Sequence, residues 1–155
     1  MSWANAGWWL LYVIAAISLQ AVMPGVDFLL PGFIIALQER RIFQSLLVGV
    51  SFILVQEGMG SMAFGGMLLW YAVTALAYYV ACSLFQGGSF LFVFLLATVL
   101  SGVHYIIFGF LASLQGIPWE ASILIDECFF QAMLTPCIWW VASSLRRGLR
   151  HEAGE

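Results

Sequence analysis

The sequence predicts an all-α integral membrane protein, a compact bundle of about six transmembrane helices joined by short loops. Three observations predict it. Hydrophobic residues make up 63% of the chain and the mean hydropathy is +1.01, outside the range of water-soluble domains. The 155 residues include five Arg, eight Asp or Glu and no Lys. The apolar runs between these charges reach the roughly 20 residues that a helix needs to cross a hydrocarbon core about 30 Å thick.

Helix 1 is expected from Gly7 to Met23 and ends at Pro24-Gly25. No basic residue precedes its apolar run and no small-residue cleavage site follows it, so it reads as a retained helix and not a signal peptide. Segment 2, residues 26–38, is short and is interrupted by Pro31-Gly32. As a helix it would reach only about 20 Å, so it either crosses a thinned region or re-enters. Helices 3 to 6 are expected at residues 42–56, 67–85, 90–111 and 121–145, with Pro136 set to kink the last unless neighbours satisfy the freed carbonyl. The whole chain then forms a single transmembrane domain, with no repeat and no low-complexity tail.

Orientation follows from the two arginine clusters, Arg40-Arg41 and Arg146-Arg147 with Arg150. Basic residues favour the cytoplasmic side. Four expected crossings separate the clusters, which returns the chain to the same side. Both termini are therefore expected in the cytoplasm. Membrane lipid is the expected surrounding, and the lack of a basic surface argues against nucleic acid.

Ionisable groups within apolar runs are costly, so each calls for a reason. Asp27 follows Pro24-Gly25. It is expected at the outer interface, favoured by the positive end of the next helix; a partner or ligand contact is the alternative. Glu57 precedes a stretch rich in small residues that includes Ser61 and Gly65. It either snorkels to water or accepts hydrogen bonds that fold this stretch back into the bundle. On the second reading, Glu57→Leu should lower stability more than Asp27→Asn. His104 in helix 5 reads as a packing group, with a proton relay as the alternative. Asp126 and Glu127 are adjacent and so point about 100° apart on a helix. At least one should face inward, and by depth it could partner His104.

These residues compose no catalytic set. There is no metal-protease motif, no phosphate loop and no cysteine pair with metal-ligand spacing. Cys82, Cys128 and Cys137 read as small packing residues. The seven Trp and thirteen Phe suit interfacial anchoring and lipid-facing packing. No cofactor or metal is expected, and the chain reads as non-enzymatic.

The order of features resembles the MreD family, small inner-membrane proteins of the bacterial rod-shape system. The resemblance rests on Pro24-Gly25-Val26-Asp27 after the first helix and on a short apolar segment ending in Arg40-Arg41. It continues with the run from Gly49 to Glu57 followed by Ser61 and Gly65, and with the Arg146-Arg147 tail. The family's acidic position is usually Asp, where this chain has Glu57. The resemblance implies a bacterial inner-membrane scaffold for cell-shape and peptidoglycan synthesis. Its implied partners are an MreC-like protein or a peptidoglycan synthase, membrane-bound or periplasmic. The competing class is the substrate-binding S component of an energy-coupling-factor vitamin transporter, also a small six-helix protein. Such components dock a partner through small-residue motifs on helix 1. Here the nearest such motif is Ala77-x-x-x-Ala81 in helix 4.

Overall fold

The computed structural model describes residues 3–59, 65–85 and 87–152. Among these residues the fold is entirely helical. It comprises α1 (Trp3–Val22), α2 (Leu30–Gln38), α3 (Ile42–Met59), α4 (Gly66–Leu84), α5 (Phe90–Leu114) and α6 (Ala121–Glu152). Five of these helices are long and apolar enough to cross a membrane; α2 is not among them.

The exception organises the rest. With nine residues, α2 is about 13 Å long. Every residue from Leu30 to Leu37 is buried, so the bundle wraps α2 on all sides. The expected break at Pro31-Gly32 is corrected, because the helix continues through both residues. Pro31 opens the helix, in the first turn, where its missing N–H would have had no intrahelical acceptor. It does not interrupt the segment.

The turn before α2 lets the chain descend into the bundle. Gly25 has φ +94°, a conformation open mainly to glycine. Tyr12 of α1 then donates its hydroxyl to the Phe28 carbonyl at 2.9 Å. Gly32 lets the two segments close up, because a Cβ there would overlap the Tyr12 ring. On the other side of α2, Ser45 of α3 donates to the Ala36 carbonyl at 2.7 Å. An aromatic cluster fills the space around these contacts. Trp8 stacks on Tyr12 with centroids 5.4 Å apart, Trp9 meets Phe52 edge-on at 6.1 Å, and Phe33 meets Tyr71 at 5.1 Å.

α6 packs along α5 and also against α2. It runs continuously through Pro136 and extends beyond the expected end at residue 145. The connection from α5 turns at Gly116, with φ +65°, and Ile117 N–H closes it by bonding the Ala112 carbonyl at 3.0 Å.

Chain direction follows from contacts at one end. Arg146 near the end of α6 bonds Glu39 just after α2 and Asn5 near the start of α1. The start of α1, the end of α2 and the end of α6 therefore meet at one arginine-rich end. This is the arrangement that the two-cluster parity requires, reached with α2 buried in protein.

The close approach at Gly32 yields a test. Gly32→Ala must push the Tyr12 ring aside and should destabilise the protein by about 1–3 kcal/mol, the usual cost of overpacking. Thermal unfolding in a fixed detergent would measure this, and an unchanged midpoint would contradict the packing described here.

Candidate functional site

Asp27 lies between α1 and α2 with only 7% of its surface exposed. Its carboxylate collects five donors from three elements. Oδ1 accepts the N–H groups of Leu29 and Leu30 at 2.9 and 3.1 Å. It also accepts Gln56 Nε2 at 2.8 Å and the Tyr71 hydroxyl at 3.3 Å. Oδ2 accepts the Trp70 indole N–H at 3.1 Å. The two backbone donors belong to the opening of α2, where unpaired amides and the helix dipole favour an anion.

Gln131 of α6 holds the Asp27 backbone from the other side. Its Oε1 accepts Asp27 N–H at 2.6 Å, and its Nε2 reaches the Asp27 carbonyl at 3.3 Å and Thr135 Oγ1 at 2.9 Å. Gln131 and Thr135 are both 1% exposed. The Asp27 residue thus ties together α2, α3, α4 and α6. The expected interfacial position of Asp27 is corrected: the carboxylate does sit at a helix start, but in the protein interior. With four donors on Oδ1 and one on Oδ2, the carboxylate is a structural anchor.

A cavity of about 210 Å³ lies beside this anchor, at the end away from the arginines; Gln20, Asp27, Gln56, His104 and Glu127 contribute to its wall. His104 is 6% exposed. It stacks on Phe108 with centroids 4.1 Å apart and meets Trp70 edge-on at 5.0 Å. Its Nδ1 and Gln20 Oε1 are buried without a hydrogen-bond partner among the described residues, and polar cavities with such atoms are where bridging water is held. Of the adjacent acids, Glu127 faces this cavity while Asp126 is exposed. The suggested pairing with His104 therefore falls to neither by hydrogen bond among the described residues, and only Glu127 shares its cavity.

Glu57 is partly buried, and its Oε1 accepts the N–H groups of Gly65 and Met67 at 3.0 and 2.9 Å. Gly65 precedes α4 with φ +106°. Glu57 thus caps the start of α4 from the end of α3; the folding back expected of the stretch between them lies outside the described residues. Ser61 lies outside the described residues, as does most of the small-residue stretch.

At the opposite end a second polar cluster forms. Arg146, 5% exposed, pairs with Glu39 through Nε and, at 2.9 Å, through Nη2. Nη2 also donates to Asn5 Oδ1 at 2.7 Å. Asn5 Nδ2 reaches Gln44 Oε1 at 3.1 Å, and Gln44 Nε2 bonds Glu39. The guanidinium carbon lies 4.5 and 4.8 Å from the ring centroids of Trp8 and Trp9, within cation–π range. Arg40 and Arg41 are exposed beside this cluster.

Sequence reasoning singled out Asp27 and Glu57 but missed Gln44, Gln56 and Gln131, and it gave Arg146 only a topological role. The available signal was that uncharged glutamines interrupt apolar runs just as ions do. Comparison with protein-family models, with curated proteins and with solved structures finds no match to this chain.

The two acids hold different numbers of donors, five on Asp27 and two on Glu57, and this sets the sensitivity of each to loss of its charge. Asp27→Asn must turn an amide N–H towards one of the surrounding donors, whereas Glu57→Gln keeps an acceptor for both backbone groups. Asp27→Asn should cost about 2–3 kcal/mol and Glu57→Gln less than about 1 kcal/mol. Equal unfolding midpoints for the two variants in one detergent would refute the anchor role of Asp27. Arg146→Ala should cost about 3–5 kcal/mol by taking the cationic partner from the largely buried Glu39 carboxylate. Adding Glu39→Gln should recover part of that loss, a coupling readable in a double-mutant cycle.

Proposed function

We propose that this chain is a multi-pass protein of the bacterial inner membrane with both termini cytoplasmic, acting as a non-enzymatic scaffold of the MreD type. In this role it would support an MreC-like or peptidoglycan-synthase partner. The orientation rests on the arginine-rich end that gathers the start of α1, the end of α2 and the end of α6.

The observation that carries the scaffold reading is how the interior is used. The bundle fills its centre with its own helix α2 and spends its deepest carboxylate on holding that helix. The cavity beside Asp27, about 210 Å³, is smaller than the roughly 300–1,000 Å³ of small-molecule sites, and the larger one at the same end, about 450 Å³, lies against the α5–α6 connection with a mainly apolar lining. Apolar surface is instead directed outward. Between α1 and α6 runs an almost wholly apolar groove of about 390 Å³, lined by Ala15, Ala16, Ile138, Val141 and Ala142 among others. Small residues of this kind allow close helix approach, and this groove is where the reading seats a partner helix.

Topology is tested by cysteine labelling with an impermeant maleimide in intact cells, after Cys82, Cys128 and Cys137 are changed to Ala. Gln115→Cys should label from outside and Arg41→Cys only after lysis; the reverse pattern would invert the orientation. Function is tested by native mass spectrometry of the protein released from mild detergent. A retained membrane or periplasmic protein is expected. A stoichiometric vitamin-sized adduct without a protein partner would replace the scaffold reading by the transport component.

A further inference from the structure

We propose that the cavity at the arginine-rich end is a binding site for an anionic phosphate group, fitted to the headgroup of an acidic membrane lipid. The site goes beyond the scaffold reading and needs no protein partner.

The cavity measures about 660 Å³ and is walled by the end of α2, the end of α4, the Gly87-Gly88 turn and the last part of α6. Its charged lining comprises Glu39, Arg40, Arg146 and Arg147. Glu39 and Arg146 neutralise each other. That leaves Arg40 and Arg147, which form no ion pair among the described residues. Among the described residues, two positive charges therefore face one cavity without a counter-charge.

Both free arginines are held by their backbones or stems, with their guanidinium groups left available. Arg40 has φ +53° in the turn after α2, and its N–H bonds the Leu37 carbonyl at 3.2 Å. Among the described residues Arg147 uses only Nε, which donates to the Ser143 carbonyl at 3.2 Å, so its two Nη groups are open to an acceptor. A guanidinium with open Nη donors matches phosphate oxygens bidentately.

The rest of the wall is rigid and two-faced. Gln38 donates to the Gly87 carbonyl at 2.8 Å and accepts the Trp139 indole N–H at 2.8 Å. These bonds tie the Gly87-Gly88 turn to α2 and α6. Tyr78 and Ser83 add hydroxyls to the lining. Leu84 and Phe85, also in the lining, are 73% and 55% exposed, and they continue the wall onto the apolar outer surface of α4. A charged head with an apolar exit beside it suits a phospholipid, whose phosphate would sit between the arginines while its acyl chains lie along α4. Basic pockets between helices on the cytoplasmic side recognise acidic lipids in this way.

The test uses the full-length protein in a zwitterionic detergent, with lipid occupancy read by native mass spectrometry and stability by thermal unfolding. Phosphatidylglycerol or cardiolipin should bind in preference to phosphatidylcholine and raise the midpoint. Each of Arg40→Gln and Arg147→Gln should weaken acidic-lipid binding about fivefold, and the pair about 25-fold. Both residues are exposed, so the lipid-free midpoint should not move. Arg41→Gln removes the same charge from an exposed residue outside the cavity lining and should leave binding intact. A second arm titrates inorganic phosphate without lipid. Arginine-dependent protection by phosphate, with no lipid preference, would keep the anion site and assign it to a soluble phosphate compound. Equal binding of phosphatidylcholine without response to phosphate, or unchanged binding in the double variant, would overturn the proposal.

Discussion

The structure depends on keeping one carboxylate satisfied away from water. An isolated buried carboxylate is too costly to persist unpaired. Asp27 meets this constraint with donors that no single helix could supply: two amides from the start of α2, an amide side chain from α3, and an indole and a phenol from α4. Each donor is useful only when its helix is in register. The carboxylate therefore turns the non-directional packing of apolar helices into one defined arrangement. This matters most where helix faces are uniformly greasy, because apolar contacts alone distinguish poorly between alternative rotations.

The second polar cluster solves a different problem. Arg146 and Glu39 lock the end of α6 to the end of α2, and Asn5 and Gln44 bring in α1 and α3. The two clusters sit at opposite ends of α2, so the shortest helix is fixed at both its start and its finish. Burying an ion pair is seldom a net gain over apolar packing, and its value lies more in specifying position. Here the pair specifies which ends meet. On the proposed membrane reading, that also keeps two arginine clusters on one side.

The helices were legible because long apolar runs bounded by Gly, Pro and charge leave little choice. Helices α3, α4 and α5 start where the charge and glycine breaks place them. Asp27 and Glu57 were visible as ions in the wrong company. What could not be read was their depth. A carboxylate after Pro-Gly looks the same at an interface and in a core, and the difference lies in Gln56, Trp70, Tyr71 and Gln131, up to 104 residues away. The nature of segment 2 was hidden for the same reason. A short apolar stretch with Pro and Gly suits a thin crossing as well as a buried pillar, and only its neighbours decide. Arg146 was obscured by its own company, since next to Arg147 and Arg150 it looked like one more topological charge.

The two ends divide their polar groups unequally, and that bears on where binding can occur. Away from the arginines, Asp27 is committed to five donors, and the small cavity beside it is closed in by Trp70 and Phe108. At the arginine-rich end, among the described residues, only one of the three guanidinium groups around the cavity is in an ion pair. Structural demand is thus met by Asp27, Gln131, Glu39 and Arg146, all inside the bundle, while Arg40 and Arg147 remain outside it. A charge that the fold does not need is free to change its partner without disturbing the helices. Such charges suit recognition, whereas those buried in the two clusters suit architecture. The same logic separates the groove between α1 and α6 from the core. α1 is attached through Trp8, Trp9 and Tyr12, and the face that it shares with α6 is left apolar and shallow. Trp8, Tyr12 and Phe28 form part of the groove wall, so the side chains that join α1 to the start of α2 also shape this outer face.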